Sequence, residues 1–147
     1  IEDIKATNDK VLGALDMSTG EVAVTMQMTD FQFEKALMQE HFNENYVESE
    51  KYPKATFTGK IVGFDATSVL NASDSLILQV TGDMTIHGVT QSVNASIKML
   101  STKGSLSATS KFNIKIADYK IDIPKIVIMN IAEEVEVSVK FSFELPE

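Results

Sequence analysis

The sequence predicts an all-β protein: an eight-stranded antiparallel up-and-down barrel with one short helical insertion capping an end. Three observations predict it: apolar and polar residues alternate along most of the chain, short turn signals separate these segments, and only about 30–52 has helical spacing. Successive side chains of a strand point to opposite faces, so alternation gives each strand one apolar face. Closing such a sheet removes its edges, although a two-sheet sandwich also satisfies the pattern.

The clearest hairpin surrounds the dipeptide His87-Gly88. Apolar residues share one parity before the turn, as in Leu78 and Val80, and after it, as in Val93. Gly88 supplies the positive φ that a short connection needs. We therefore expect strands at 75–87 and 90–100 to form the centre of the sheet.

The remaining strands are assigned from shorter runs of the same alternation. We expect them at 1–7, 10–17, 21–28, 55–64, 105–116 and 134–145. Region 117–132 is irregular but apolar, and we expect it to fold back over one end of the barrel. The last strand has the most regular pattern, with valine and phenylalanine alternating against glutamate, serine and lysine.

Residues 30–52 interrupt the strands with helical spacing. Phe33, Leu37 and His41 recur at intervals of four, and Thr29 or Asp30 can cap the start. An amphipathic helix must bury its apolar side against something. We expect this one to lie over an end of the β structure as a lid.

Composition excludes several classes of function. The 147-residue chain has a net charge of −8, its thirteen basic residues are all lysine, and it contains no arginine and no cysteine. Nucleic-acid binding usually needs a basic patch with arginine, so we expect no such partner. The absence of cysteine excludes disulfides, thiolate metal sites and a cysteine nucleophile. No apolar run is long enough for a transmembrane helix, and the length predicts one domain, 1–147.

The sequence contains no recognisable catalytic or metal-binding constellation. The two histidines, His41 and His87, have neither the H-x-H nor the H-E-x-x-H spacing, and no G-x-S-x-G or Gly-rich phosphate loop is present. We expect His87 to hydrogen-bond within its own turn, and His41 to anchor the lid or face a polar pocket at its base. The prediction is therefore a protein without enzymatic activity, cofactor or metal.

The predicted inward face carries no charge, and two interpretations of it remain open. An eight-stranded barrel can be filled by its own side chains or can hold one small ligand. Gly59, Gly63 and Gly82 place little bulk on the inward parity, and methionine adapts to apolar guests. Both observations favour a cavity.

Three stretches of the sequence resemble the YceI-like family of bacterial exported, lipocalin-like proteins. GDMTIHGVTQSV is similar to the family's G-x-[LM]-T-I-H-G-V-T hairpin. ALMQEHFNENYVESEKYPKATFTGKI resembles its helical insertion, and SKFNIKIADYKIDIP with NIAEEVEVSVKFSFEL resembles its closing segment. The resemblance covers most of the chain from Phe31 onward. It implies an eight-stranded antiparallel barrel, periplasmic or secreted, and several such proteins bind a long isoprenoid or other lipid-like chain.

The resemblance therefore favours a non-enzymatic barrel that binds an isoprenoid-like or other long apolar lipid chain for transport, storage or sequestration. The alternative is a filled barrel acting as a structural, protein-interaction or stress-response module. The candidate ligand-binding residues are Met26, Met28, Phe31, Phe33, Phe42, Tyr46, Phe57, Ile61, Leu78, Val80, Met84, Ile86, Met99, Phe112, Ile114, Ile126 and Phe141. The aromatic residues between 31 and 46, together with Ile126, are expected to form the mouth of the barrel.

One departure from the family concerns the start of the chain. Such proteins carry a further extended, aromatic segment upstream, whereas this sequence begins at Ile1 without an initiator methionine. We expect a leader to have been removed or the chain to have been trimmed. Without the upstream segment, one barrel edge is expected to be open or filled by a neighbouring molecule, as in a homodimer.

Overall fold

One curled nine-stranded sheet forms most of the described structure. The structure is a computed structural model, and it describes residues 4–34, 36–41, 43, 50–121 and 134–145. The strands are β1 Ile4–Asn8, β2 Leu12–Leu15, β3 Glu21–Gln27, β4 Gln32–Phe33, β5 Lys54–Ile61, β6 Leu76–Ile86, β7 Val89–Thr102, β8 Ser105–Lys115 and β9 Glu134–Glu144. The helices are α1 Ala36–His41 and α2 Ala66–Asn71, with 3₁₀ turns at Met28–Asp30 and Ile116–Tyr119. The order of strands across the sheet is β2-β3-β5-β6-β7-β8-β9-β1-β4.

The all-β fold class is confirmed, but strand number and pairing differ from the prediction. Nine strands are described instead of eight, because β4 pairs with β1 inside the stretch predicted as helix. β1 runs parallel to β9, from Ile4 opposite Val135 to Asn8 opposite Val139, so the sheet is not wholly antiparallel. Among the described residues, the end strands β2 and β4 do not pair with each other, so hydrogen bonds do not close the curl.

The central hairpin is confirmed. β6 and β7 pair from Leu76 opposite Met99 to Ile86 opposite Val89. Both turn residues have positive φ, +56° at His87 and +74° at Gly88, as a two-residue turn of the type I′ class requires. This conformation matches the right-handed twist of the flanking strands, and it fixes the register of the longest hairpin in the sheet.

The second helix, α2, is absent from the sequence prediction. The Asp65 side chain caps it, accepting hydrogen bonds from the Thr67 N–H at 3.1 Å and the Ser68 hydroxyl at 2.9 Å. The local sequence D-A-T-S is therefore an N-cap signal that the surrounding strand patterns obscure. Within the predicted lid helix, the structure describes α1 at Ala36–His41, and most of 42–49 lies outside the described residues.

Side chains fill the interior beside α2. Ile61 and Leu106 are completely buried, Met99 and Ala108 are 1% exposed, and Val69 reaches in from α2 at 3%. We call these five residues the packed end. Interlocked aliphatic side chains at this density supply the dispersion and burial that stabilise the sheet.

Asn8 connects the two sides of the curl near the opposite end. It is completely buried, its Nδ2 donates to the Gln27 carbonyl oxygen at 3.4 Å, and its Oδ1 accepts from the Lys10 N–H at 2.9 Å. Asn8 ends β1, whereas Gln27 ends β3. A buried amide must satisfy its hydrogen-bonding groups. The Nδ2 bond joins two strands that share no ladder, whereas the Oδ1 bond stays within the segment that follows β1.

Candidate functional site

The described residues line two apolar cavities in the interior beyond the packed end. The central cavity comprises about 500 Å³ of space free of atoms, partly continuous with solvent, and is lined by Val22, Val24, Met26, Phe57, Val80, Met84, Val93, Ala95, Ile97, Ser110, Phe112 and Val139. The end cavity comprises about 470 Å³ and is lined by Ala6, Met26, Met28, Phe31, Ala55, Met84, Ile86, Phe112, Ile114, Ile116, Ile121, Val135 and Val137. The space that the centre of a water-sized sphere can occupy is smaller, about 60 Å³ in the central cavity and about 30 Å³ in the end cavity, so both cavities are narrow.

Three side chains line both cavities: Met26 from β3, Met84 from β6 and Phe112 from β8. We call them the shared wall. Both methionines are 3% exposed, and Phe112 is half-buried. The two cavities are thus neighbouring parts of one interior.

A pair of glycines shapes the floor of the central cavity. Gly59 on β5 lies opposite Gly82 on β6. A Cβ at either position would lie 2.7 Å from Cζ of Phe57 and would collide with a carbonyl oxygen of the facing strand. The Phe57 ring therefore lies over a glycine pair at which the two backbones approach closely. Gly63, which was expected on the inward face, instead lies in an exposed turn after β5 with φ of +67°.

The cavity walls are almost entirely hydrocarbon. Ser110 carries the single hydroxyl of the central lining, and it already donates to the Ser96 carbonyl oxygen at 2.8 Å. Among the described residues that line either cavity, none is charged. A ligand here would be held by burial of apolar surface, because the walls have no charge to pair with a buried headgroup.

Hydrogen bonds tie the β6–β7 turn to the floor of the end cavity. His87 Nδ1 lies 3.1 Å from the Tyr119 carbonyl oxygen, which can only accept, so the geometry assigns the proton to Nδ1. The His87 ring also meets Tyr52 edge-on, with centroids 4.7 Å apart. Gln91 Nε2 donates to the Asp118 carbonyl oxygen at 2.7 Å. His87 was expected to bond within its own turn, and the structure shows that its Nδ1 bonds to the Ile116–Tyr119 turn.

Burial, together with the neighbouring Asp118 carboxylate, raises the pKa of Tyr119. The phenol therefore remains neutral at physiological pH. Ile116 of this turn contributes a hydrocarbon side chain to the wall of the end cavity. The neutral Tyr119 side chain adds no charge to the turn.

The structure brings together many of the predicted ligand-binding residues. Those that line a cavity are Met26, Met28, Phe31, Phe57, Val80, Met84, Ile86, Phe112 and Ile114. Ile61 and Met99 belong instead to the packed end, Leu78 is half-buried opposite Ile97, and Phe33 is half-buried on β4. Phe42, Tyr46 and Ile126 lie outside the described residues, as do the side chains of Phe141 and His41.

The predicted set omitted small inward residues of the lining, together with several valines and Ile97. Ala6, Ala55 and Ala95 line the cavities on the same parity as the predicted positions, and their small volume helps to leave the space open. Two further lining residues are Ile116, which ends the predicted strand 105–116 and begins the 3₁₀ turn, and Ile121, which follows the turn in the region predicted to be irregular. The inward parity of these alanines was a signal available in the sequence. The 3₁₀ turn could not be predicted from alternation.

No cluster of three or more His, Asp or Glu side chains that could hold a metal ion occurs in the part of the chain that the structure describes. The described helices are likewise too short or too polar to cross a membrane.

The fold and the site define a class of protein: a small all-β barrel-like sheet with an apolar interior cavity. The YceI-like domain family matches residues 1–143, and the chain belongs to that family. Protein YceI of Escherichia coli O157:H7 is 29% identical over 112 residues, covering 70% of this chain and 54% of the relative. The chain thus spans about half the length of the curated relatives it matches.

Solved structures show the same fold at low sequence identity. The YceI protein of Campylobacter jejuni superposes with a TM-score of 0.72 at 18% identity, covering 100% of this chain and 88% of that one. A polyisoprenoid binding domain from Saccharophagus degradans, implicated in plant cell wall breakdown, gives 0.72 at 16% identity, with 92% and 82% covered. The family resemblance stated from the sequence is confirmed.

Proposed function

We propose that this protein binds an isoprenoid-like or other long apolar lipid chain inside its curled sheet, without catalysing a reaction. The observation that carries the proposal is the pair of adjoining hydrocarbon-lined cavities. Membership of the YceI-like family supports it, and so does the fold shared with a polyisoprenoid binding domain. Lining residues such as Phe31, Phe57 and Phe112 would contact the chain.

Binding in such a site is dominated by removal of apolar surface from water, about 25 cal/mol per Å² before the costs of association. Each added CH₂ contributes about 0.8 kcal/mol as long as the cavity has room for it. A charged headgroup would have to remain outside, because the described lining offers it no counter-charge. Affinity should therefore depend strongly on hydrocarbon content and weakly on salt concentration.

The biological role consistent with this chemistry is transport, storage or sequestration of the lipid in an exported bacterial protein, periplasmic or secreted. The bacterial origin of the relatives supports a bacterial source, and the exported placement follows from the family resemblance of the sequence. Phe42, Tyr46, Ile126 and Phe141 remain in the candidate ligand-binding set on sequence grounds. Ile61 and Met99 are reassigned to packing, because both lie in the packed end.

The test is native mass spectrometry of the purified protein, followed by solvent extraction and titration with farnesol. The variant Ala95→Phe adds a ring to the central cavity, whereas Ala23→Phe adds the same ring to the exposed face of β3. We expect the wild type and Ala23→Phe to take up farnesol and Ala95→Phe to lose at least about tenfold in affinity. Equal uptake by both folded variants, or no uptake by the wild type, would contradict the proposal.

The packed end favours a second function, a structural or protein-interaction module, because a filled interior has no room for a ligand. This second function describes the whole protein only if the two cavities stay empty. A wild-type mass without any added molecule after exposure to farnesol and a fatty acid would support this alternative.

A further inference from the structure

The shared wall occupies a distinctive place between the two cavities. Its three side chains come from β3, β6 and β8, and another strand separates each from the next in the sheet: β5 between β3 and β6, and β7 between β6 and β8. They therefore converge on the interior from different parts of the curl. Any chain that occupies both cavities must pass beside Met26, Met84 and Phe112.

The two cavities differ in their access to solvent. The central cavity is the more open of the two, and its lining residues Val93 and Ala95 are only half-buried. The end cavity is the more enclosed, and hydrogen bonds from His87 and Gln91 hold its 3₁₀ turn in place. A guest from solvent would thus fill the central cavity first and reach the end cavity only by passing the shared wall.

The side chains at this position are of unequal stiffness. Methionine is unbranched with three rotatable side-chain bonds and a polarizable sulfur, so it can move aside for an apolar guest at small cost. Phe112 is a rigid ring with only two side-chain torsions. Two movable side chains facing a rigid one form an adjustable constriction rather than a fixed wall.

We propose that Met26, Met84 and Phe112 set the length of the chain that this protein accepts. The inference rests on the proposed function and makes it more specific. Short chains occupy the central cavity alone, whereas longer chains gain further affinity only by displacing the methionines and entering the end cavity. Uniform burial would instead give the same increment for each added isoprene unit.

The experiment compares geraniol, farnesol and geranylgeraniol, each one isoprene unit longer than the last, by competition against a fluorescent naphthylamine probe. Met84→Phe should narrow the passage. We expect its geranylgeraniol affinity to fall by about tenfold or more relative to its geraniol affinity, compared with the same ratio in the wild type. Met26→Ala should widen the passage and raise geranylgeraniol affinity relative to geraniol by about threefold.

Met99→Ala is the matched control, because Met99 is as buried as the other two methionines but lies in the packed end and lines neither cavity. Its dependence on chain length should be that of the wild type. If Met84→Phe does not fold, Met26→Ala carries the test. If the folded variants of the shared wall depend on chain length as the wild type does, this inference is overturned but the proposed function is not. Failure of the wild type to bind any of the three alcohols would overturn the proposed function as well.

Discussion

The packed end and the hollow remainder of the interior are built from the same strands. β5 contributes Ile61 to the packed end and Phe57 to the central cavity, and β8 contributes Leu106 and Phe112 in the same way. Only the size and fit of the inward side chains differ. A barrel of this size is thus both filled and hollow, with packing at one end and capacity for a guest over the rest.

The difference has a physical cost. A side chain in the packed end has partner atoms on every side, whereas one on a cavity wall lacks them toward the empty space and loses their dispersion contacts. Small residues maintain the cavities, among them Ala55, Ala95 and the glycine pair beneath Phe57. The hollow region should therefore contribute less to the free energy of unfolding than its burial alone indicates.

The sharpest test of this contrast is the same substitution in both regions. Met99→Ala should lower the free energy of unfolding by about 3–4 kcal/mol, because it opens a void in a filled interior. Met84→Ala should cost about 1–2 kcal/mol, because its side chain already borders empty space. Urea denaturation followed by circular dichroism measures both. Equal losses would show that the two regions are packed alike.

The glycine pair offers a second test. Gly82→Ala should cost about 2 kcal/mol, since the new Cβ displaces the Phe57 ring and crowds the Thr58 carbonyl oxygen. Gly63→Ala is the control, with nothing within 4 Å of its Cβ, so it should cost only about 1 kcal/mol for its positive φ. Thermal unfolding of both variants provides the measurement. A Gly82→Ala variant as stable as Gly63→Ala would mean that both the β5 backbone and the Phe57 ring adjust freely.

The N-cap of α2 tests how much this helix, which contributes Val69 to the packed end, adds to the stability of the fold. Asp65→Ala removes the acceptor for Thr67 and Ser68 and should cost about 1 kcal/mol. Asp74→Ala, in the loop that follows α2, removes a charge without removing a helix cap and should cost less. The comparison is made by urea denaturation of both variants. A loss for Asp65→Ala no greater than for Asp74→Ala would show that α2 needs no cap.

The smallest effect is expected at the exposed turn between β2 and β3. Hydrogen bonds from the Ser18 hydroxyl and N–H lower the pKa of Asp16 below its ordinary value of 3.8. A lowered pKa stabilises the fold above the unfolded-state value, and that contribution is lost as pH falls through the folded-state value. Asp16→Asn should therefore be slightly less stable than wild type at pH 7, and the difference should shrink below pH 3.8. A difference independent of pH would exclude the charge as its cause.

Alternation along each strand was enough to predict the fold class, the central hairpin and much of the cavity lining. Parity shows which side chains point inward, and His87-Gly88 identifies the turn. Parity does not show how far along the interior a side chain lies, because that depends on pairing between strands distant in sequence. Ile61 and Met99 were therefore predicted to contact ligand although they lie in the packed end.

The elements that were missed are short or depend on distant partners. β4 has only two residues, too few to show an alternating pattern, and it is a strand because it pairs with β1. The capping of α2 by Asp65 was readable, but only six residues follow it as helix, too few for a periodic signal. The partner of His87 lies 32 positions away at Tyr119, beyond any local pattern.

The parallel pairing of β1 with β9 constrains the order of folding. The first described strand completes its ladder only against the last one, from Ile4 opposite Val135 onward, whereas β5 to β8 pair with their neighbours in sequence. Contacts between distant segments form slowly, because a long loop must close before they become favourable. During synthesis, β1 can pair only with the two-residue strand β4 until the ribosome has made β9, so the sheet is completed only once β9 is available.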